Sequence, residues 1–324
     1  MSGRPGASRR PGDSVEHAAW PLDRAMDLQA TLGRLRGGSA PTRWLRADRA
    51  LWVGSRRSGP ATLGLRIVDD SVLAVAVGDG AAEALDNVPT LIGLDDHHRQ
   101  LFEVHPPALA RLARRRTGFR MGATGDLSGA LFPAVLGQRV TAGEAHGSWT
   151  ALCRDLGEGA PNDPSLNVLL GEAELPTLLV PPQPRVLARL TAHELHRYGV
   201  DRSRGDLLVG LARRAATIDA LVTLPPADVR RRLMTLPGVG PWTASIATRV
   251  ALGDPDAVLI GDLHLPSTVA WALAREERAD DDRMLELLAP YAGNRARVQQ
   301  LIKSTRIRAP RRASRYKPLP IASM

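Results

Sequence analysis

Lysine is almost missing from this chain. Lys303 and Lys317 are the only lysines in 324 residues, so the 43 basic side chains, against 34 acidic ones, are nearly all arginine. The planar guanidinium of arginine suits bidentate contacts to phosphate, and no lysine nucleophile stands before residue 303. Cysteine is scarcer still. Cys153 is alone, which excludes a disulfide within one chain and an iron–sulfur cluster held by four cysteines. No apolar run approaches the ~20 residues needed to span a bilayer, and the opening MSGRPGASRRPGDS is polar with no apolar segment behind it. These absences argue for a chain without a membrane partner, in a reducing cytoplasm.

What remains is a globular composition, 44% hydrophobic and 24% charged, long enough for two ordinary domains. A net charge of +9 favours a polyanionic partner, with nucleic acid the first candidate. From Pro41 to Gly78 the segments RWLRADRALWVG, LGLRIV and SVLAVAVG read as strands, the last two joined by a turn at Asp69-Asp70. Beyond His105-Pro106-Pro107 the pattern turns helical in ALARLARRR, LSGALFPAVLGQRV, PRVLARLTAHELHRYG, GDLLVGLARRAATIDALV and ADVRRRLMTL. Residues 157–184, rich in Pro, Gly and acidic groups, predict a long surface loop. No internal repeat is present. The predicted class is therefore α+β, with a flexible segment over 1–40, a small antiparallel β-rich domain over 41–105, a mostly helical domain over 106–302 and a basic tail over 303–324.

The most informative stretch is LMTLPGVGPWTASIATRV, residues 233–250. A helix ending near Leu236 meets Pro-Gly-Val-Gly, and a second helix starts at Pro241. Gly238 and Gly240 allow a tight turn whose amide N–H groups face outward. The start of the next helix adds partial positive charge, so Gly238, Val239, Gly240 and Thr243 frame a seat for a DNA phosphate that reads no sequence. The competing reading is an interhelical turn that needs glycine only for packing. Many such hairpins bind DNA without chemistry. Twenty residues past Trp242, the segment AVLIGDLHLPSTVAWALA carries Asp262 after a short apolar run and ahead of a further helix. An aspartate there is ordinarily just a helix cap.

The hairpin, its spacing to Asp262, the upstream LFPAVLGQRVT and the preceding β-rich region together resemble the helix-hairpin-helix DNA glycosylase superfamily, most closely its 3-methyladenine glycosylase II (AlkA-like) branch. The layout matches over residues 40–310 and the specific motifs lie in 131–141 and 233–270. The resemblance implies that Asp262 is the catalytic carboxylate of an N-glycosylase that excises alkylated purines. The implied partner is double-stranded DNA holding a damaged base, with no cofactor, no metal and a monomeric, nucleoid-associated enzyme. It places Gln138 and Arg139 in the gap left by a flipped nucleotide, although the branch typically has an apolar residue where Arg139 stands. It places Trp242, Ile246 and Tyr291 around the base, with Ile246 replacing an aromatic of that branch. Relatives that also cut the backbone use a lysine just after the hairpin. Trp242 occupies that position here, so base release without lyase activity is expected.

Other polar groups carry less. His193 and His196 in AHELH miss the HExxH metal spacing by one residue. His264, two residues past Asp262, is either a first-turn polar group or a proton carrier. Pro266 lacks an amide donor, which predicts an irregular helix start. A non-catalytic damage-sensing hairpin protein and a glycosylase for other lesions stay open as alternatives.

Overall fold

The alternation predicted from Pro41 to Gly78 forms strands because each strand buries a different side chain on each face. A computed structural model of the chain describes residues 15–35, 42–56, 58–96, 118–304, 307 and 309. Among them β1 (Val15–Pro21), β2 (Arg43–Leu45), β3 (Arg49–Arg56), β4 (Gly59–Val68) and β5 (Ser71–Val77) make an antiparallel sheet in the order β1-β5-β4-β3-β2. Ala50, Leu63, Leu65, Val72, Ala74 and Ala76 face the main core, and Leu51, Val53, Val75 and Val77 face a second cluster on the other side. The class is α+β.

Two boundaries differ from expectation. Val15–Pro21 is a strand paired to β5 along its whole length, not part of a flexible segment, and α1 (Leu28–Leu32) follows with Leu28 and Leu32 fully buried. The polar residues around this short strand mask its signal. Within the expected β-rich region, α2 (Ala81–Asp86) and α3 (Val88–Ile92) are helices on the sheet's core side. The predicted helix ALARLARRR, the boundary at residue 105 and nearly all of the basic tail lie outside the described residues.

After α4 (Leu127–Leu136) and α5 (Ala142–Leu156) the chain enters the expected surface loop, which is not a loop throughout. Strand β6 (Glu158–Gly159) pairs with β7 (Leu179–Val180), and between them α6 (Pro164–Leu170) lays Leu166 and Leu170 on the second face of the sheet. Its signals were local: Asp163 caps the first turn, Pro164 opens it and Gly171 closes it, with two buried leucines one turn apart. The average composition hid them.

The remaining helices are α7 (Pro184–Leu187), α8 (Ala192–His196), α9 (Arg202–Ala212), α10 (Ala215–Asp219), α11 (Pro226–Leu233), α12 (Pro241–Ala251), α13 (Leu265–Ala274), α14 (Asp281–Leu288) and α15 (Arg295–Ser304). PRVLARLTAHELHRYG thus folds as two short helices, because Thr191 starts a new capping box with Glu194. Helix α12 sits at the seam of two cores. Ala244, Ala247 and Ala251 enter the main one, while Trp242 and Ile246, one turn apart, pack against a second made by Val258, Leu265, Val269, Met284, Leu288, Tyr291 and Val298. That seam positions the site.

Candidate active site

The hairpin turn forms as its residues dictate. Helix α11 ends at Leu233, three residues earlier than expected, and the Val239 amide closes the turn on the Leu236 carbonyl at 3.0 Å. Gly238 has φ +84°, a left-handed conformation that disfavours a side chain, and any Cβ there would stand 3.0 Å from Leu207 of α9. Gly238 and Gly240 are exposed, and α12 starts at Pro241 as predicted. Val239 and Thr243, expected among the DNA-binding residues, are 4% and 2% exposed. Their side chains hold the turn against the core, so only their backbone is available to a phosphate. The first amides of α12 have no intrahelical acceptor and carry the positive end of the helix.

Behind the hairpin lies the turn that follows α4. Gln138 spends both amide protons on the hairpin, donating to the Gly238 carbonyl at 3.1 Å and to Thr243 Oγ1 at 2.9 Å. A Cβ on Gly137 would meet the Trp242 ring at 3.1 Å, so glycine lets the indole lie against this turn. Arg204 of α9 donates to the Leu136 carbonyl at 2.8 Å and fixes the end of α4. Gln138 is therefore a brace between two loops rather than a free probe. Arg139, exposed and at φ +57°, is the residue of the pair that projects outward.

Asp262 faces the same seam. Its Oδ2 accepts from Trp242 Nε1 at 3.3 Å, and its Oδ1 accepts from the amides of His264 at 3.1 Å and Leu265 at 3.0 Å. The carboxylate thus caps α13 while touching the helix that leaves the hairpin. Pro266, in the first turn of α13, costs no ladder bond because that turn needs no amide donor from it. An ionised carboxylate has about four acceptor positions. Three are occupied here, which leaves one on Oδ2 for a water or a developing cation.

Trp242 and Ile246 are half-buried beside Asp262, as a wall with an accessible edge. Tyr291, expected to line the base pocket, is 3% exposed and packed inside the second core, where burial raises its phenol pKa. It supports the wall from behind. His264 is exposed and its carbonyl accepts from Thr268 Oγ1 at 2.8 Å, a helix-start role. No group of three or more potential metal ligands occurs among the described residues, His193 and His196 included.

Sequence reasoning missed two residues that hold the Asp262 segment. Arg249 of α12 donates Nε–H to the Ala257 carbonyl at 2.6 Å and Nη2–H to Gln299 Oε1. Gln299 of α15 is fully buried, and its Oε1 also accepts from the Leu259 amide at 3.2 Å. Burial, with repulsion from Arg34 second, pulls the Arg249 guanidinium down to about 9, against the attraction of Asp254 and Asp262. One signal was available: an arginine inside the apolar run of α12, between Thr248 and Val250.

No family model matches the chain. It is 26% identical over 190 residues to the DNA-3-methyladenine glycosylase of Bacillus subtilis, a match covering 57% of this chain and 59% of that relative, so the chain spans less than two thirds of the relative's length. The 3-methyladenine DNA glycosylase of Archaeoglobus fulgidus superposes with a TM-score of 0.73 at 15% identity, covering 89% of this chain and 98% of the other. The chain therefore shares the fold of that protein. The 8-oxoguanine glycosylase/lyase of Clostridium acetobutylicum has the same fold, at a TM-score of 0.66 and 12% identity over 90% of this chain and 96% of that one. Among the described residues no helix is long and apolar enough to cross a membrane.

Proposed function

We propose that the chain is a monofunctional DNA N-glycosylase that removes alkylated purines from duplex DNA, acting as a monomer in the nucleoid-containing cytoplasm. The observation that supports this most directly is Asp262, whose carboxylate is oriented by two backbone amides and the Trp242 indole at the start of the hairpin's second helix. A base within a duplex leaves no room for attack at its sugar, so the nucleotide is extruded at a cost of a few kcal/mol, which damage reduces. The hairpin amides seat the phosphate and Arg139 reaches toward the vacated space.

Breaking the N-glycosidic bond builds positive charge on the sugar. A carboxylate at about 4 Å in an effective dielectric near 20 attracts that charge by about 4 kcal/mol, on the order of a thousandfold in rate. The open acceptor position on Asp262 Oδ2 serves this charge or orients the attacking water. An alkylated purine is already cationic and leaves readily, so no acid catalyst is required, and the Trp242 face attracts it through its quadrupole. Pro241-Trp242 opens the hairpin helix where a lysine for a Schiff base would stand, which supports base release without strand cleavage.

Release of free 3-methyladenine from methylated duplex by the wild type and not by Asp262→Asn is the expected result. Tight binding to damaged DNA with no base release on any lesion would instead identify a non-catalytic hairpin protein. A second reading, excision of oxidised or deaminated bases, draws on Ile246, an aliphatic wall that offers a flipped cationic base one stacking face fewer. A panel of defined lesions separates the two.

A further inference from the structure

Between the hairpin helix and Asp262 runs an extended segment with little regular hydrogen bonding of its own. Residues 257–259 precede the turn at Gly261, and their backbone polar groups are buried with Ala257 fully inaccessible and Leu259 nearly so. Buried backbone groups outside helices and sheets need partners from elsewhere. Two side chains supply them. The Ala257 carbonyl receives Arg249 Nε–H, the Leu259 amide donates to Gln299 Oε1, and Arg249 Nη2–H donates to that same oxygen. Gln299 Nε2 donates in turn to the sulfur of Met284 at 3.2 Å. The result is a closed loop of bonds joining α12, the segment and α15.

The electrostatics point the same way. Arg249 is 7% exposed and its side-chain acceptors are neutral oxygens, so its charge needs an anion nearby. Of the two carboxylates that attract it, Asp254 is directly paired with Arg230. Asp262 has only neutral donors among its own hydrogen-bond partners. Asp262 is thus one of two carboxylates that attract Arg249, Asp254 being the stronger, across the segment that the clamp holds.

We infer that Arg249 and Gln299 are positioning residues for Asp262, a buried clamp that sets where the carboxylate stands relative to Trp242 and hence to the sugar of a bound nucleotide. Neither side chain reaches substrate. The inference rests on the glycosylase reading for its catalytic consequence, but the clamp itself has a readout independent of activity. A displacement of about 1 Å in a reacting group costs up to 10²-fold in rate, so the clamp acts on the chemical step and leaves the phosphate seat untouched.

The test uses the full-length chain with Gln299→Met, which keeps the volume and removes the shared acceptor, and Gln299→Glu, which keeps the acceptor and its bond to Arg249. Single-turnover base release is expected to fall roughly 10- to 100-fold in Gln299→Met, with the Kd for damaged duplex within about twofold of wild type, and to recover most of the rate in Gln299→Glu. Amide exchange over 257–262 is expected to quicken in Gln299→Met and not in Gln299→Glu, while exchange in the hairpin stays unchanged. Wild-type release and wild-type exchange in a folded Gln299→Met overturn the clamp. Should Gln299→Met not fold, Arg249→Lys takes its place. It retains the charge but carries its donors on a single nitrogen and so cannot reproduce the separate Nε–H and Nη2–H bonds, and wild-type rate and exchange there have the same meaning. If the wild type itself releases no base, the glycosylase reading fails, and the exchange comparison still decides the clamp.

Discussion

The hairpin and the Asp262 segment meet at Trp242 but are held in place by opposite means. The hairpin rests mainly on short-range features, a left-handed glycine and a proline at a helix start, with one long-range brace from Gln138. The Asp262 segment has few local constraints and is fixed by side chains from α12 and α15 and by the ion pairs Arg230–Asp254 and Arg295–Asp256 around its start. On the proposed reading the first is a seat for any phosphate, and the second places one group against one atom. A binding seat tolerates some displacement because amides and phosphate oxygens are several and screened, whereas a single carboxylate does not.

The sharpest way to separate the two is Asp262→Asn. Single-turnover base release is expected to drop about a thousandfold, with a Kd for damaged duplex close to that of the wild type. A binding defect as large as the rate defect would merge the two regions into one. Gly238→Ala strikes the other side. A non-glycine residue in the left-handed region costs about 1–2 kcal/mol, and Leu207 crowds the new methyl, so duplex affinity is expected to weaken roughly tenfold. The slope of log affinity against log salt should become shallower by about 0.9 for each phosphate that the turn no longer neutralises. An unchanged slope would remove the hairpin from the phosphate seat.

Trp242→Phe probes the junction itself. It keeps an aromatic ring and removes the indole donor to Asp262, a bond worth about 0.5–1.5 kcal/mol. Base release should slow about two- to tenfold with little change in melting temperature, and a rate equal to wild type would show that the two amides alone orient Asp262.

The smallest effect is one of pH. Burial alone would raise the Asp256 carboxyl, but the hydrogen bonds and charge of Arg295 hold it below its ordinary 3.8. Asp96 is likewise held below 3.8 against burial, by its bonds to Arg297 of α15. A depressed folded value means that the stabilisation is present above the unfolded value and is lost as pH falls through the folded one. Acidification below pH 3.8 should therefore quicken amide exchange in 254–262 and α15 before the hairpin. Simultaneous loosening would count against the contrast.

The primary structure determined by itself what depends on neighbours a few residues apart. Strands β2 to β5, the start of α12 at Pro241, the turn at Gly238 and the capping of α6 by Asp163 all follow from backbone preferences and contacts a few residues apart. Asp262 was legible as a candidate only through its spacing from the hairpin. Tertiary structure alone decided that Gln138 spends its protons on a turn 100 residues away, that Tyr291 goes inward, and that Gln299 shares one oxygen between α12 and the Asp262 segment. Such pairings leave no local periodicity to read, because they arise where buried polar groups from distant elements must satisfy one another once the apolar faces have packed.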